Sequence, residues 1–220
     1  MFFKFVILNF LLISLPIIAN AFDLNDDQSN SKRAKVVIII NEGDRTESNP
    51  QGQSLSIYKS GVIYGIYNVS TASNKIKNPT VGKQYVATTP HGFYRPKKVY
   101  EDYHSYTFYG ASMKYAVFFN GGIATHASEH IEHLGHRASG GCIRLLEPVA
   151  ELVNSAILSA GGNTRNTVSE DFCNSKGENC HKRSLFVNRI KLHDVDFKTG
   201  NKTSNLIWTY DALIIVKPGN

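Results

Sequence analysis

Tryptophan occurs once, methionine twice and cysteine three times in 220 residues. So few cysteines exclude a scaffold built on disulfides and leave stability to a hydrophobic core. Beyond residue 18 no apolar run approaches the roughly 20 residues that a membrane-spanning helix needs. Internal repeats and low-complexity tracts are absent, which excludes solenoids and arrays. No linker of biased composition marks off a second domain. The formal net charge is +6, yet no basic block is interleaved with stacking aromatics, so nothing points to nucleic acid.

What is present begins with a targeting pattern. Lys4 precedes an apolar run from Val6 to Ile18, and Ala19-Asn20-Ala21 supplies an Ala-x-Ala cleavage site. The run is too short to span a bilayer, so the expectation is a signal peptide over 1–21. A polar, flexible leader is expected over 22–35 and a single domain over 36–217. Export places the chain in the periplasm or the cell wall, with no membrane span left after cleavage.

An oxidising compartment pairs thiols. Cys173 and Cys180 flank a polar, glycine-containing loop, DFCNSKGENC, whereas Cys142 stands alone in a glycine-rich element. The economical reading is one structural disulfide, Cys173–Cys180, and one free thiol that calls for an explanation.

Periodicity gives a mainly β domain. Ala34 to Ile40 is a β-branched run, and the stretch from Ser54 to Ser70 alternates around Lys59-Ser60-Gly61 as a hairpin. Short strands follow at Gln84 to Ala87, at Ala116 to Phe119 and on toward His126. The tyrosine-rich segment from Tyr94 to Tyr109 reads as a long lid or a further hairpin. One principal helix is expected at Glu147 to Leu158, with Pro148 in its first turn and Gly161-Gly162 ending it. The tail alternates again through Leu206 to Val216.

Chemistry concentrates in the run GGIATHASEHIEHLGHRASGGCIRL, from Gly121 to Leu145. A thiol attacks as thiolate, so a nucleophilic Cys142 requires a base nearby, and four histidines precede it. Glycines around it leave backbone N–H groups for a developing oxyanion. A helix beginning just downstream adds a modest field. The pattern His126-x-x-Glu129-His130 also fits one class of zinc peptidase, but that class places it on a helix, and here the approach is strand-like. No metal or other cofactor is therefore expected, and His130, His133 and His136 read as exposed loop residues.

The run resembles the catalytic core of the L,D-transpeptidases (the YkuD-type domain), whose pattern is Gly-Ile-x-x-His, about a dozen residues, then Ser-His-Gly-Cys-Ile-Arg. Gly122-Ile123 leads to His126, Gly135 matches an internal glycine, and Ser139-Gly140-Gly141-Cys142-Ile143-Arg144 closes the motif. Upstream, Val69-Ser70-Thr71-Ala72 and Thr89-Pro90-His91-Gly92-Phe93 resemble two further family segments. The resemblance implies a single L,D-transpeptidase-like β-sandwich over 36–217, with its helix after Cys142. It makes Cys142 the nucleophile and His126 the base, with the Gly122 carbonyl orienting the ring. Gly140, Gly141 and Cys142 would supply oxyanion donors, and Ser139 and Arg144 would shape the turn or bind substrate polar groups. The implied substrates are peptidoglycan stem tetrapeptides, acylating the enzyme with loss of D-Ala. An amine of another stem, a lipoprotein, a D-amino acid or water would accept the acyl group. Gly140 departs from the family, which usually has histidine there. That departure motivates an alternative: a catalytically weakened relative acting as a peptidoglycan-binding or envelope interaction protein.

Overall fold

The computed structural model describes residues 23–108, 110–161, 166–173 and 180–219. The expected signal peptide and Gly162 lie outside them. Among these residues the chain runs α1 (Asp27–Asn30), β1 (Val36–Asn41), β2 (Ser54–Lys59), β3 (Val62–Asn68), β4 (Ile76–Lys77) and β5 (Tyr85–Val86). It continues with β6 (Gly92–Tyr94), β7 (Lys98–Asp102), β8 (Val117–Asn120), β9 (Ile123–Ala127), β10 (Ile143–Leu145) and α2 (Glu147–Ser159). The last strands are β11 (Thr167–Phe172), β12 (His181–Phe186), β13 (Ile190–Val195), β14 (Lys202–Thr209) and β15 (Ala212–Lys217). The domain is mainly β, with one principal helix after Cys142.

Two sheets form the body. One has the order β3-β2-β1-β15-β6 and the other β10-β9-β8-β7-β12-β11. In β1 every residue from Val36 to Ile40 is buried, which is why its sequence is a continuous aliphatic run rather than an alternation. Val36, Ile38 and Ile40 face the main core with Ile57, Ile214, Val117, Phe119 and Ile143. Val37 and Ile39 face the opposite side with Phe93, Leu213 and Ile215. The β2–β3 turn uses Ser60 at φ 50° and Gly61 at φ 80°, the left-handed pair that a two-residue hairpin favours.

Helix α2 closes the main core. Val149, Val153, Ala156 and Ile157 are buried against it, and the Asn154 amide donates to the Tyr100 carbonyl of β7 at 2.8 Å. The far face of the second sheet carries a smaller cluster of Tyr100, Met113, Ala116, Ala124 and Leu185, against which Cys142 and Phe118 pack. Strand alternation thus divides this sheet into a core face and a face that holds the site.

Three expectations are revised. The leader over 22–35 carries α1, packs Leu24 on the first sheet, and pairs Asp27 with Lys217 at 2.8 Å. The run from Leu206 to Val216 is two strands in different sheets, broken at Tyr210-Asp211. In the Tyr94–Tyr109 segment β6 ends at Tyr94 and β7 follows, so the lid reading holds only for the described loop residues from Tyr103 to Phe108. The disulfide Cys173–Cys180 is present and closes the β11–β12 hairpin, while Cys142 is a free cysteine.

Candidate active site

A parallel pairing builds the site. Strands β9 and β10 run side by side with Arg144 opposite His126, flanked by Ile143 opposite Thr125 and Leu145 opposite Ala127. Alternation turns His126 and Arg144 to one face and Ile143 and Leu145 into the core. One residue before β10, Cys142 emerges on the His126 face. Cys142, His126 and Arg144 line a single cavity of about 780 Å³ together with Gly122, Ser139, Gly140 and Gly141.

His126 is only 8% exposed. Its Nδ1 lies 2.6 Å from the Ala127 carbonyl. A carbonyl only accepts, so the proton resides on Nδ1 and Nε2 keeps its lone pair. Burial pushes the ring's pKa down to about 4, and the Arg144 charge acts in the same direction. Histidine is therefore neutral over the physiological range, as a base must be. Burial pushes the Cys142 thiol up, while the Ala124 N–H and the Arg144 guanidinium favour its thiolate. Arg144 thus opposes an imidazolium and supports a thiolate at once.

The carbonyl of Gly122 was expected to orient His126; it instead accepts from Cys142 Sγ at 3.7 Å. Gly122 belongs to the β8–β9 turn, four positions before His126, whereas the imidazole folds back on the next peptide of its own strand. Ser139 takes the turn-shaping one of its two expected roles. Its hydroxyl donates to the Cys142 carbonyl at 2.5 Å and accepts from Gly141 N–H at 3.0 Å, so it holds the turn rather than a substrate. This bond occupies one of the three expected oxyanion donors. The N–H groups of Gly140 and Cys142 have no acceptor among the described residues.

The turn is held by residues that the motif does not contain. Tyr85 Oη donates to the Gly140 carbonyl at 2.8 Å. Thr89 Oγ1 donates to the Gly141 carbonyl at 2.8 Å and accepts from Ala72 N–H at 3.1 Å. Ser139 N–H and Ala138 N–H both donate to the Thr71 carbonyl. Gly141 adopts φ +135°, a conformation that only glycine takes without strain. At Gly140 an added Cβ would stand 3.0 Å from Tyr85 Oη and 3.2 Å from Phe108 Cζ. A side chain here meets the ends of Tyr85 and Phe108, which must give way by a few tenths of an ångström to admit it.

Phe108 belongs to the loop that rims the cavity, from Tyr103 to Met113. The loop is fastened to β12: Arg183 Nη2 donates to the His104 carbonyl at 2.7 Å, and its guanidinium lies 4.0 Å from the Tyr103 ring centroid. His104 stacks on His181 at 4.3 Å. Of the other histidines, His130 also lines the cavity. His130 and His133 are exposed beside Glu132. Composition gave no sign of Tyr85 or Arg183, which reach the site from distant segments; Phe108 lay within the tyrosine-rich segment read as a lid, and Thr89 within the Thr-Pro segment of the family resemblance.

A mainly-β domain with a histidine on one of two paired parallel strands and a cysteine just before the other narrows the choice of family. A profile of the L,D-transpeptidase catalytic domain (YkuD) matches residues 35–159, and the chain belongs to this family. Similar solved structures include an L,D-transpeptidase from Xylanimonas cellulosilytica, 26% identical over 55% of this chain and 53% of that one, with a TM-score of 0.45. Another, from Mycobacterium smegmatis, is 12% identical over 84% of this chain and 59% of that one, TM-score 0.46. A third, from Stackebrandtia nassauensis, is 17% identical over 56% and 51%, TM-score 0.43. The chain therefore spans between half and three-fifths of these relatives. No curated protein sequence matches the chain significantly.

Two outcomes follow from this geometry. Gly140→His overpacks the turn and costs about 1–3 kcal/mol of stability. Adding Phe108→Ala regains most of that loss, measured by denaturant unfolding of both variants. The His126 pKa is lower in the folded state than in the unfolded chain, so between pH 6.5 and about 4 the unfolded chain binds the extra proton. Stability therefore falls as pH drops through that window, by up to about 3 kcal/mol from this group. His126→Asn is expected to flatten that part of the unfolding-versus-pH curve.

Proposed function

We propose that this chain is a peptidoglycan L,D-transpeptidase that acts through a thioester on Cys142. The observation that carries the reading is the convergence of the Cys142 thiol and a neutral His126 with a bare Nε2 on one cavity. Cys142 Sγ attacks the donor carbonyl as its proton passes to Nε2. The carbonyl oxygen takes up charge beside the Gly140 and Cys142 N–H groups, where fixed donors lower the barrier. The peptide C–N bond breaks, the imidazolium returns the proton to the departing D-Ala amine, and an acyl-enzyme remains. An acceptor amine then attacks the thioester while His126 takes its proton, and the thiol is restored. Water as acceptor makes the same enzyme an L,D-carboxypeptidase.

Arg144, on the cavity wall, would bind polar groups of the substrate and biases both Cys142 and His126. Stem tetrapeptides of peptidoglycan are the donors, consistent with the family and with a cavity large enough for a peptide. The acceptor is an amine of a second stem, a lipoprotein or a D-amino acid. We place the enzyme outside the cytoplasm, with residues 1–21 removed as a signal peptide and 36–217 as the catalytic domain. The pKa of the Cys142 thiol, raised by burial, favours one other reading: a wall-binding relative without turnover.

Mass spectrometry of Phe22–Asn220 with a disaccharide-tetrapeptide separates the two. Turnover predicts release of D-Ala and a transient protein adduct absent from Cys142→Ala. A folded protein with a titratable Cys142 that gives neither adduct nor product would leave the wall-binding reading.

A further inference from the structure

The β13–β14 hairpin lies outside both large sheets. It meets the first sheet where Val195 packs with the Phe93 and Leu213 cluster and where Phe93 N–H donates to the Phe197 carbonyl at 2.9 Å. A second cavity of about 410 Å³ opens there, away from Cys142. Its lining carries Arg33, Arg95, Lys191 and Lys202, with His193, against a single carboxylate, Asp211. Asp194 also acts on Arg95, and the balance remains positive.

The site is partly built into the fold. Arg95 is 5% exposed and donates through Nη1 to the Ala212 carbonyl at 2.9 Å. Asp211 stands 3.9 Å from it, at the outer limit of an ion pair. Its Nε has no partner among the described residues. Arg33 is fixed by a bond to the Gly200 carbonyl; burial, and then the charge of Arg95, hold its guanidinium below the usual arginine range. Two arginines that repel each other in a shared, desolvated cavity are stabilised by an anion between them. Guanidinium groups match the oxygens of a phosphate.

The hairpin beside the cavity distinguishes a free phosphate from one carried on a surface. Leu206, which lines the cavity, is 52% exposed, and Trp208 on the same strand is 59% exposed. Trp208 pairs with Lys191 and Leu206 with His193 across the hairpin, so the apolar and basic side chains share one face. A soluble anion makes no use of exposed indole and leucine, whereas the headgroup region of a bilayer takes both aromatic rings and lysines.

We propose that this face docks on an anionic phospholipid surface, with a headgroup phosphate in the Arg33–Arg95–Lys191–Lys202 cavity and Trp208 and Leu206 among the headgroups. Docking there is independent of the chemistry at Cys142. It would hold the enzyme at a membrane face while the cavity around Cys142 stays free.

Trp208 is the only tryptophan of the chain, so its emission reports on this face. Full-length mature protein is titrated with phosphatidylcholine vesicles with and without phosphatidylglycerol, and bound protein is also measured by co-sedimentation. The expected result is a blue shift and binding only with phosphatidylglycerol, weakening as salt is added. Lys191→Glu/Lys202→Glu weakens binding about tenfold or more. The control pair Lys75→Glu/Lys83→Glu, at exposed positions elsewhere, carries the same charge change and keeps most of the binding. Should the first pair fail to fold, Lys191→Gln/Lys202→Gln gives the same direction. Equal loss in the control pair would reduce the effect to net charge and overturn the site. Absence of phosphatidylglycerol-dependent binding overturns it too, as does a Trp208 response to inorganic phosphate without vesicle binding.

Discussion

The site depends on the register between β9 and β10. Placing Arg144 opposite His126 sets Cys142 one step before the strand, on the face that His126 occupies. A slip by one residue would send both side chains into the aliphatic core, because neighbours along a strand point to opposite faces. The register is fixed from the other side of the sheet: Ile143 and Leu145 are wholly buried beside Phe119 and α2. Core packing and the geometry of the reacting groups are thus one constraint, met by alternate residues of the same short strand.

The turn before β10 shows how a departure from the usual family pattern is accommodated. With glycine at 140, no side chain at that position fixes the turn. Tyr85, Thr89 and Ser139 do so instead through hydroxyl groups bonded to its carbonyls and amides. Neutral hydroxyls supply no charge near the sulfur. That charge comes from Arg144, and the Ala124 N–H adds a further bond to the sulfur. Arg144, which the family pattern also carries, is thus the cation that acts on the sulfur here.

Much of this was legible in the sequence, where local chemistry determines local structure. The aliphatic run of β1, the Ser60-Gly61 turn, helix α2 and the Cys173–Cys180 pair follow from composition and spacing. Spacing alone left four histidines for Cys142, and the resemblance to the L,D-transpeptidases singled out His126. What escaped were contacts that only tertiary structure makes. Tyr85 and Phe108 reach Gly140 from segments far away in sequence; the segment of Phe108 was marked by its tyrosines, but nothing marked Tyr85. The carbonyl that orients His126 belongs to Ala127, and no side chain announces a backbone role. The leader looked unstructured because it is polar, yet Leu24 and the Asp27–Lys217 ion pair anchor it.

The central claim is that His126 waits as a neutral ring with its proton on Nδ1, held there by the Ala127 carbonyl, and its lone pair on Nε2. Nitrogen-15 NMR of the histidine side chains at neutral pH, with His126 assigned by substitution, reads this directly. The account predicts a protonated Nδ1 and an unprotonated Nε2 for His126. A ring protonated on both nitrogens, or the opposite tautomer, would contradict it.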